Sequence, residues 1–288
     1  MVCSMKFSET RLDALKTTDG LKLDIHIWEP AFPKAVLLAV HGGLAHAGDY
    51  VTPALFFKQC DIATVAYDLR GHKQRKVRID SFEQLIEDTR LFLEWAQHHY
   101  PGLPVFYLGH SIGALIGTLI GLRSTKNDTR ISGYIFSSPY YQNAIKANPF
   151  VIPMIKILSR ILPNLPIPSQ DITDALTHDE TITSRHRQDE TAGLRASKAS
   201  LRFGSEVFTA QDLVNAHIQN WSHPIFAVVA GDDQVADATE SERLLKKIDP
   251  TLLTYLFHPQ NYHENFNEVN REETFHKISA WMTHLIQG

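Results

Sequence analysis

With 288 residues, 43% of them hydrophobic and 21% charged, the chain is long enough to bury a substantial core and has the composition of an ordinary globular domain. A formal net charge of −4 gives no electrostatic case for nucleic acid, and no apolar run reaches the ~18–20 residues of a membrane span. Two cysteines, Cys3 and Cys60, make neither a disulfide framework nor a zinc site, and residues 1–6 lack the apolar core of a signal peptide, so a reducing cytoplasm is the expected compartment.

Residues 21–28 alternate apolar and polar, as a half-solvated strand does, between an Asp19-Gly20 turn and Glu29-Pro30. Residues 35–40 are continuously apolar, the pattern of a strand covered on both faces, and end in His41-Gly42-Gly43. A glycine pair there lets backbone N–H groups approach a ligand closely, or makes a tight turn. A second buried strand over 61–67 leads into Asp68-Leu69-Arg70-Gly71-His72, charged residues expected to tie loops together. Ser81 and Gln84 make a capping box for a helix that Pro101-Gly102 stops.

The next strand carries the strongest signal. Residues 105–108 are β-prone and apolar, Gly109-His110-Ser111-Ile112-Gly113 follows, and 114–120 continue as a small-residue apolar helix. A G-x-S-x-G between strand and helix holds its serine on a sharp turn above the sheet edge, with free helix N–H groups aimed at the same place. Ser111 is the candidate nucleophile. After a strand over 131–137 the rhythm breaks. Residues 140–222 show no buried strand, carry prolines at 149, 153, 163, 166 and 168, and read as an inserted cap between core segments 1–139 and 223–288.

Within that insertion a short amphipathic helix runs from Pro153 to Leu162, with Lys156, Ser159 and Arg160 on one face and the apolar residues on the other. The apolar face either packs on the protein or forms a wall for an acyl chain, with membrane-surface contact a further use. Met154, Ile157, Leu158 and Ile161 are the candidate pocket residues. Residues 170–210, with the charge-rich stretch 185–190, read as solvated surface. The strand–helix pattern resumes with strands over 225–230 and 252–257, an acidic loop from Gly231 to Asp237, a histidine-bearing loop over 258–264, and a closing helix. Strands alternating with helices at this spacing imply an α/β fold with a mostly parallel, doubly wound sheet, its site at the strands' carboxyl ends.

A serine hydroxyl needs a base, and the base an orienting carboxylate. The order serine, acidic loop, histidine loop supplies all three, but the spacing leaves Asp232 and Asp233, and His258 and His263, open. The chain resembles the monoacylglycerol lipase and lysophospholipase group of serine hydrolases in the α/β-hydrolase superfamily. His41-Gly42-Gly43 with His46 and Tyr50 is similar to that group's HGxxEHxxRY segment; residues 68–72, 80–82, 109–113, 162–165, 231–237 and 262–268 are similar to its later motifs. The resemblance implies Ser111 as nucleophile, His263 as base, Asp233 as acid, and the N–H groups of Gly43 and Ile112 as oxyanion donors. It implies no cofactor or metal, and esters of single-chain lipids as substrates. The alternatives are a small-ester esterase, a thioesterase, a small-peptide aminopeptidase, or a catalytically silent binding protein of the same fold. Ala45, Ala47 and Asp49 replace the group's usual Glu, Ser and Arg, and Lys73 replaces a glycine.

Overall fold

The structure, a computed structural model, describes residues 6–145, 151–167 and 171–287, with Val151 described by its backbone alone. Cys3, Pro149, Pro168 and Gln170 lie outside the described residues. The continuously apolar runs form the middle of one sheet, because strands covered on both faces must leave no polar side chain to face a helix. Its strands are β1 (Arg11–Lys16), β2 (Lys22–Trp28), β3 (Ala35–Val40), β4 (Ile62–Tyr67), β6 (Val105–His110), β7 (Gly133–Ser137), β9 (Ile225–Ala230) and β10 (Leu253–His258). The short strands β5 (Lys76–Val77) and β8 (Lys198–Ala199) pair separately. The eight-stranded order is β1-β2-β4-β3-β6-β7-β9-β10, with the β1–β2 and β2–β4 pairs antiparallel and every later pair parallel.

The chain moves outward from β3 to β4, then returns to lay β6 on the other side of β3. That reversal makes a crevice at the carboxyl ends of β3 and β6. Val40 is in register with Gly109, so the loop after β3 and the turn after β6 begin side by side. Alternate strand residues feed two cores. Val36, Leu38 and Val40 join one with helices α2 (Phe82–His99) and α3 (Ile112–Arg123). Ala35, Leu37 and Ala39 join the other with α1 (Val51–Gln59) and α8 (Arg271–Gln287).

The β6–α3 turn is too tight for side chains at its glycines. A Cβ on Gly113 would lie 1.9 Å from the Val40 carbonyl oxygen, and one on Gly109 would lie 2.7 Å from the Ala114 nitrogen. Both obstacles are backbone, which cannot yield without moving β3 or α3. Gly113→Ala is therefore expected to cost more than about 3 kcal/mol, read as a lowered urea midpoint; a loss under about 1 kcal/mol would mean that β3 can move aside.

All main-sheet strands come from residues 11–137 and 225–258, and between β7 and β9 the chain runs through α4 (Val151–Ile161), α5 (Glu180–Thr191), β8 and α6 (Leu201–His217). Two expectations for this segment are overturned. α6 is not surface: Phe203, Val207, Ala210 and Val214 recur at helical spacing and join the main core. In the charge-rich stretch, His186 and Asp189 are buried. The remaining helix, α7, spans Ala238–Leu245, between β9 and β10. No helix among the described residues is long and apolar enough to cross a membrane.

Candidate active site

Ser111 sits at the carboxyl end of β6 with φ 55° and ψ −117°, a conformation that costs a non-glycine residue of order 1–3 kcal/mol. The surroundings hold it there. Its N–H donates to Ser137 O at 2.9 Å, and the Tyr107 hydroxyl grips the Gly113 carbonyl at 2.7 Å. Ser111 makes no side-chain cap on α3, so its hydroxyl is not spent on the helix it starts.

The acid and histidine loops follow the neighbouring parallel strands β9 and β10 and are stitched together. Gly231 N–H donates to His258 O, and Asp232 N–H to Asn261 O. Asp233 Oδ1 accepts the Val235 and Ala236 N–H groups, which turns its other oxygen toward His263 Nδ1 at 2.7 Å. Burial pushes the Asp233 carboxyl up, but His263 and the two backbone donors outweigh it and hold the group below its ordinary value. An ionised carboxylate only accepts, so Nδ1 carries the proton and Nε2 is left as the basic nitrogen. The open pairs of the sequence separate here. Asp232 is exposed, Asp237 caps α7 through Glu240 N–H, and His258 bonds Thr274. His110, its ring 4.7 Å from that of His263, is held neutral, its pKa lowered to about 3 by burial first and by the neighbouring His263 second.

The loop after β3 presents Gly43 beside Ile112. A Cβ on Gly43 would meet Ile112 Cδ1 at 2.8 Å. His41 fixes the peptide between Gly42 and Gly43. Leu69 N–H donates to His41 Nε2 at 2.9 Å, so Nδ1 carries the proton and donates to Gly42 O at 2.8 Å. Gly42 O and Gly43 N–H belong to one planar unit, so orienting the carbonyl orients the donor. Leu44, next in line, has φ 63°. Below it Asp68 accepts Ala47 N–H at 2.8 Å and pairs with Lys73 at 2.9 Å and His26 at 3.7 Å. Lys73, unusual in the resemblance, thus braces this loop from beneath, and the charges at 68–72 do tie loops together.

Gly43, Ser111, Ile112 and His263 all line one cavity of about 540 Å³, a size that suits a small-molecule ligand. Its apolar wall is Leu44, Ile155, Ile167, Phe203, Val207 and Phe208; its polar end includes His186, Glu190, Arg195 and Glu264. The expected pocket residues are not there. Met154, Ile157 and Ile161 are 57%, 63% and 71% exposed, Leu158 is half-buried, and none of the four lines the cavity. Periodicity identified an apolar arc, but packing on α6 turned it outward. Lys156 pairs with Asp212 of α6 and Ser159 is buried, so of α4 it is Ile155 that reaches the cavity. Two wall residues of α6, Phe203 and Val207, had a signal, an i, i+4, i+7, i+11 repeat from Phe203 to Val214, hidden by the polarity of the stretch around it.

Beside the cavity His46, Asp49 and Asp189 bring one donor atom each within 4.8 Å of one another. Metal binding would disrupt what these atoms already do. His46 Nδ1 accepts Gly48 N–H, so the neutral ring carries its proton on Nε2 and gives it to Asp189, while Asp49 is paired with Arg195.

A mostly parallel sheet with a strained serine turn, an aspartate–histidine pair on two later loops and a glycine loop beside the serine is the architecture of α/β-hydrolases. The chain belongs to the family described as serine aminopeptidase, S33, whose model matches residues 31–270. It is similar to the human monoglyceride lipase, 28% identical with 94% of this chain and 90% of that one covered. It is similar to the phospholipase YtpA of Bacillus subtilis, 27% identical with 90% and 99% covered. Among solved structures, a soluble variant of the monoglyceride lipase of Saccharomyces cerevisiae in complex with a substrate analog superposes with a TM-score of 0.83 at 19% identity, covering 96% of this chain and 94% of that one.

Proposed function

We propose that the chain hydrolyses carboxylic esters of single-chain lipids, of monoacylglycerol or lysophospholipid type, through an acyl-enzyme on Ser111. His263 Nε2 takes the Ser111 proton as Oγ attacks the ester carbonyl, and Asp233 stabilises the imidazolium. The Gly43 and Ile112 N–H groups receive the oxyanion. The C–O bond breaks as His263 returns the proton to the departing alcohol; water, activated by the same nitrogen, then releases the acid. Residues 140–222 serve as a cap on the core formed by 1–139 and 223–288, and the cytoplasm is the proposed compartment.

The observation that carries this reading is the cavity, where Ser111, His263 and the donor loop meet a wall of apolar side chains. The names of the similar lipases and phospholipase support it. The aminopeptidase alternative needs a carboxylate kept free for the substrate ammonium. Of the described acids lining the cavity, Glu264 is committed to His186, Asn267 and Arg195 and Asp171 is paired with Arg187, which leaves the exposed Glu190 as the candidate for that role.

Two measurements test the substrate class. A fluorophosphonate should label Ser111, and kcat/KM over a graded ester series should rise with acyl length, by up to ~0.8 kcal/mol or about fourfold per buried methylene. Replacing Ile155 and Phe208 by serine should flatten that series while sparing acetate esters. Preference of the unaltered enzyme for acetate esters would move the reading to a small-ester hydrolase. Ile157→Ser with Ile161→Ser should leave the series for soluble esters unchanged, because these side chains face solvent. The same pair should weaken association with lipid vesicles by about tenfold, since the outward arc of α4 is the proposed membrane contact; unchanged association removes that contact.

A further inference from the structure

The polar end of the cavity joins three segments far apart in the chain. Asp49 closes the turn that follows the Gly43 loop, its Oδ2 accepting His46 N–H. Glu264 directly follows His263 in the chain. Between them lies Arg195, from the inserted segment. Its Nη1 donates to Asp49 Oδ2 at 2.5 Å and to His186 Nδ1 at 3.0 Å, and its Nη2 lies 3.7 Å from Glu264 Oε1. Arginine can only donate, so His186 Nδ1 is an acceptor and Nε2–H is given to Glu264 Oε2 at 2.8 Å. The next residue continues the grip. Ala196 N–H donates to Leu44 O at 3.0 Å, holding the left-handed residue that directly follows Gly43.

We propose that Arg195 is a positioning residue that locks the Gly43 loop and the His263 loop to one another through Asp49 and Glu264. The proposal rests on the roles given above to Gly43, Ser111 and His263. Asp49 and Glu264 are nearly enclosed by protein, and two carboxylates so placed would repel one another and draw water between the loops. The planar guanidinium converts that repulsion into a fixed separation, with a different nitrogen for each carboxylate. Burial pushes both carboxyls up, yet Asp49, through Arg195 first, and Glu264, through His186 and then Arg195, stay below the ordinary range. The substitution of aspartate at position 49, where the resembling group carries arginine, gains a physical sense: the cation of the brace comes from the inserted segment. An ammonium on a flexible stem satisfies one carboxylate and leaves the other unanchored, so lysine restores the charge without the geometry.

The test compares Arg195→Met and Arg195→Lys, with active sites counted by fluorophosphonate and folding followed by thermal melting. Misplacement of the loops lowers turnover rather than ground-state binding. The expected result is a kcat per active site about 100-fold lower for Arg195→Met, KM for a short soluble ester within about threefold, and partial recovery for Arg195→Lys. A folded Arg195→Met with kcat within about threefold of the parent overturns the proposal, as does a rise in KM alone, which would make Arg195 a substrate-binding residue. Should Arg195→Met fail to fold, Arg195→Lys decides: a roughly tenfold lower kcat at unchanged melting temperature supports the lock, and unchanged kcat overturns it. Ester hydrolysis that survives Ser111→Ala removes the underlying site whatever Arg195 does, so the two failures are distinguishable.

Discussion

Ser111→Ala is expected to lower kcat/KM for a medium-chain ester by about 10⁴-fold or more, with the folded state intact. Ser111 stands on the left-handed turn at the end of β6, with His263 and the Gly43–Ile112 donors on the same cavity. Removing Oγ leaves the cavity and donors in place but nothing to form the acyl-enzyme. Alanine suffers the same backbone strain as serine at φ 55°, and the bonds that hold the turn, from Ser111 N–H to Ser137 O and from Tyr107 to Gly113 O, involve no Ser111 side-chain atom. The circular dichroism spectrum and urea midpoint should therefore match the parent. The measurement is kcat/KM with active sites titrated. Activity within about tenfold, only ~1.4 kcal/mol of barrier, would sink the assignment.

What the sequence makes legible follows from where the constraint is local. β3, β4, β6, β7 and β9 read as strands because each is covered on both faces and every residue had to be compatible with burial. The turn at Ser111 reads because Gly109 and Gly113 abut backbone atoms. β1 carried no such mark: as an edge strand with only Leu15 buried, Arg11–Lys16 has no clean alternation. α4 reads as amphipathic, and it is, but periodicity gives the arc and not its direction. The buried charges were illegible for a different reason. His186 and Arg195 look solvated in their own stretch, and they are buried because Asp49 and Glu264, 146 and 78 residues away along the chain from Arg195 and His186 respectively, accept their hydrogen bonds. Local composition contains no record of a partner that distant.

His263→Ala should be as damaging as Ser111→Ala, and Asp233→Asn should cost about 10⁴-fold in kcat. The geometry gives the reason for the second effect. Asp233 Oδ2 accepts from His263 Nδ1 at 2.7 Å while Oδ1 is held by Val235 and Ala236 N–H. An asparagine in that position turns its NH₂ toward Nδ1, which must then accept, and the ring proton moves to Nε2, where the base is needed. Asp232→Asn should stay within about threefold, because its side chain is exposed and His263 Nδ1 is already paired with Asp233. Asp237→Asn should also keep activity, since Asp237 caps α7 and asparagine caps almost as well. His258→Ala should lower stability by about 1–3 kcal/mol through the lost bond to Thr274, and leave turnover within about tenfold. The three neighbours, Asp232, Asp237 and His258, thus separate effects on folding from effects on chemistry. Sensitivity at Asp232 or Asp237 instead of Asp233 would mean that the imidazole takes a different partner during turnover, and the acid assignment would move with it. The serine and histidine assignments would stand, because Ser111 and His263 share the cavity whichever carboxylate orients the ring.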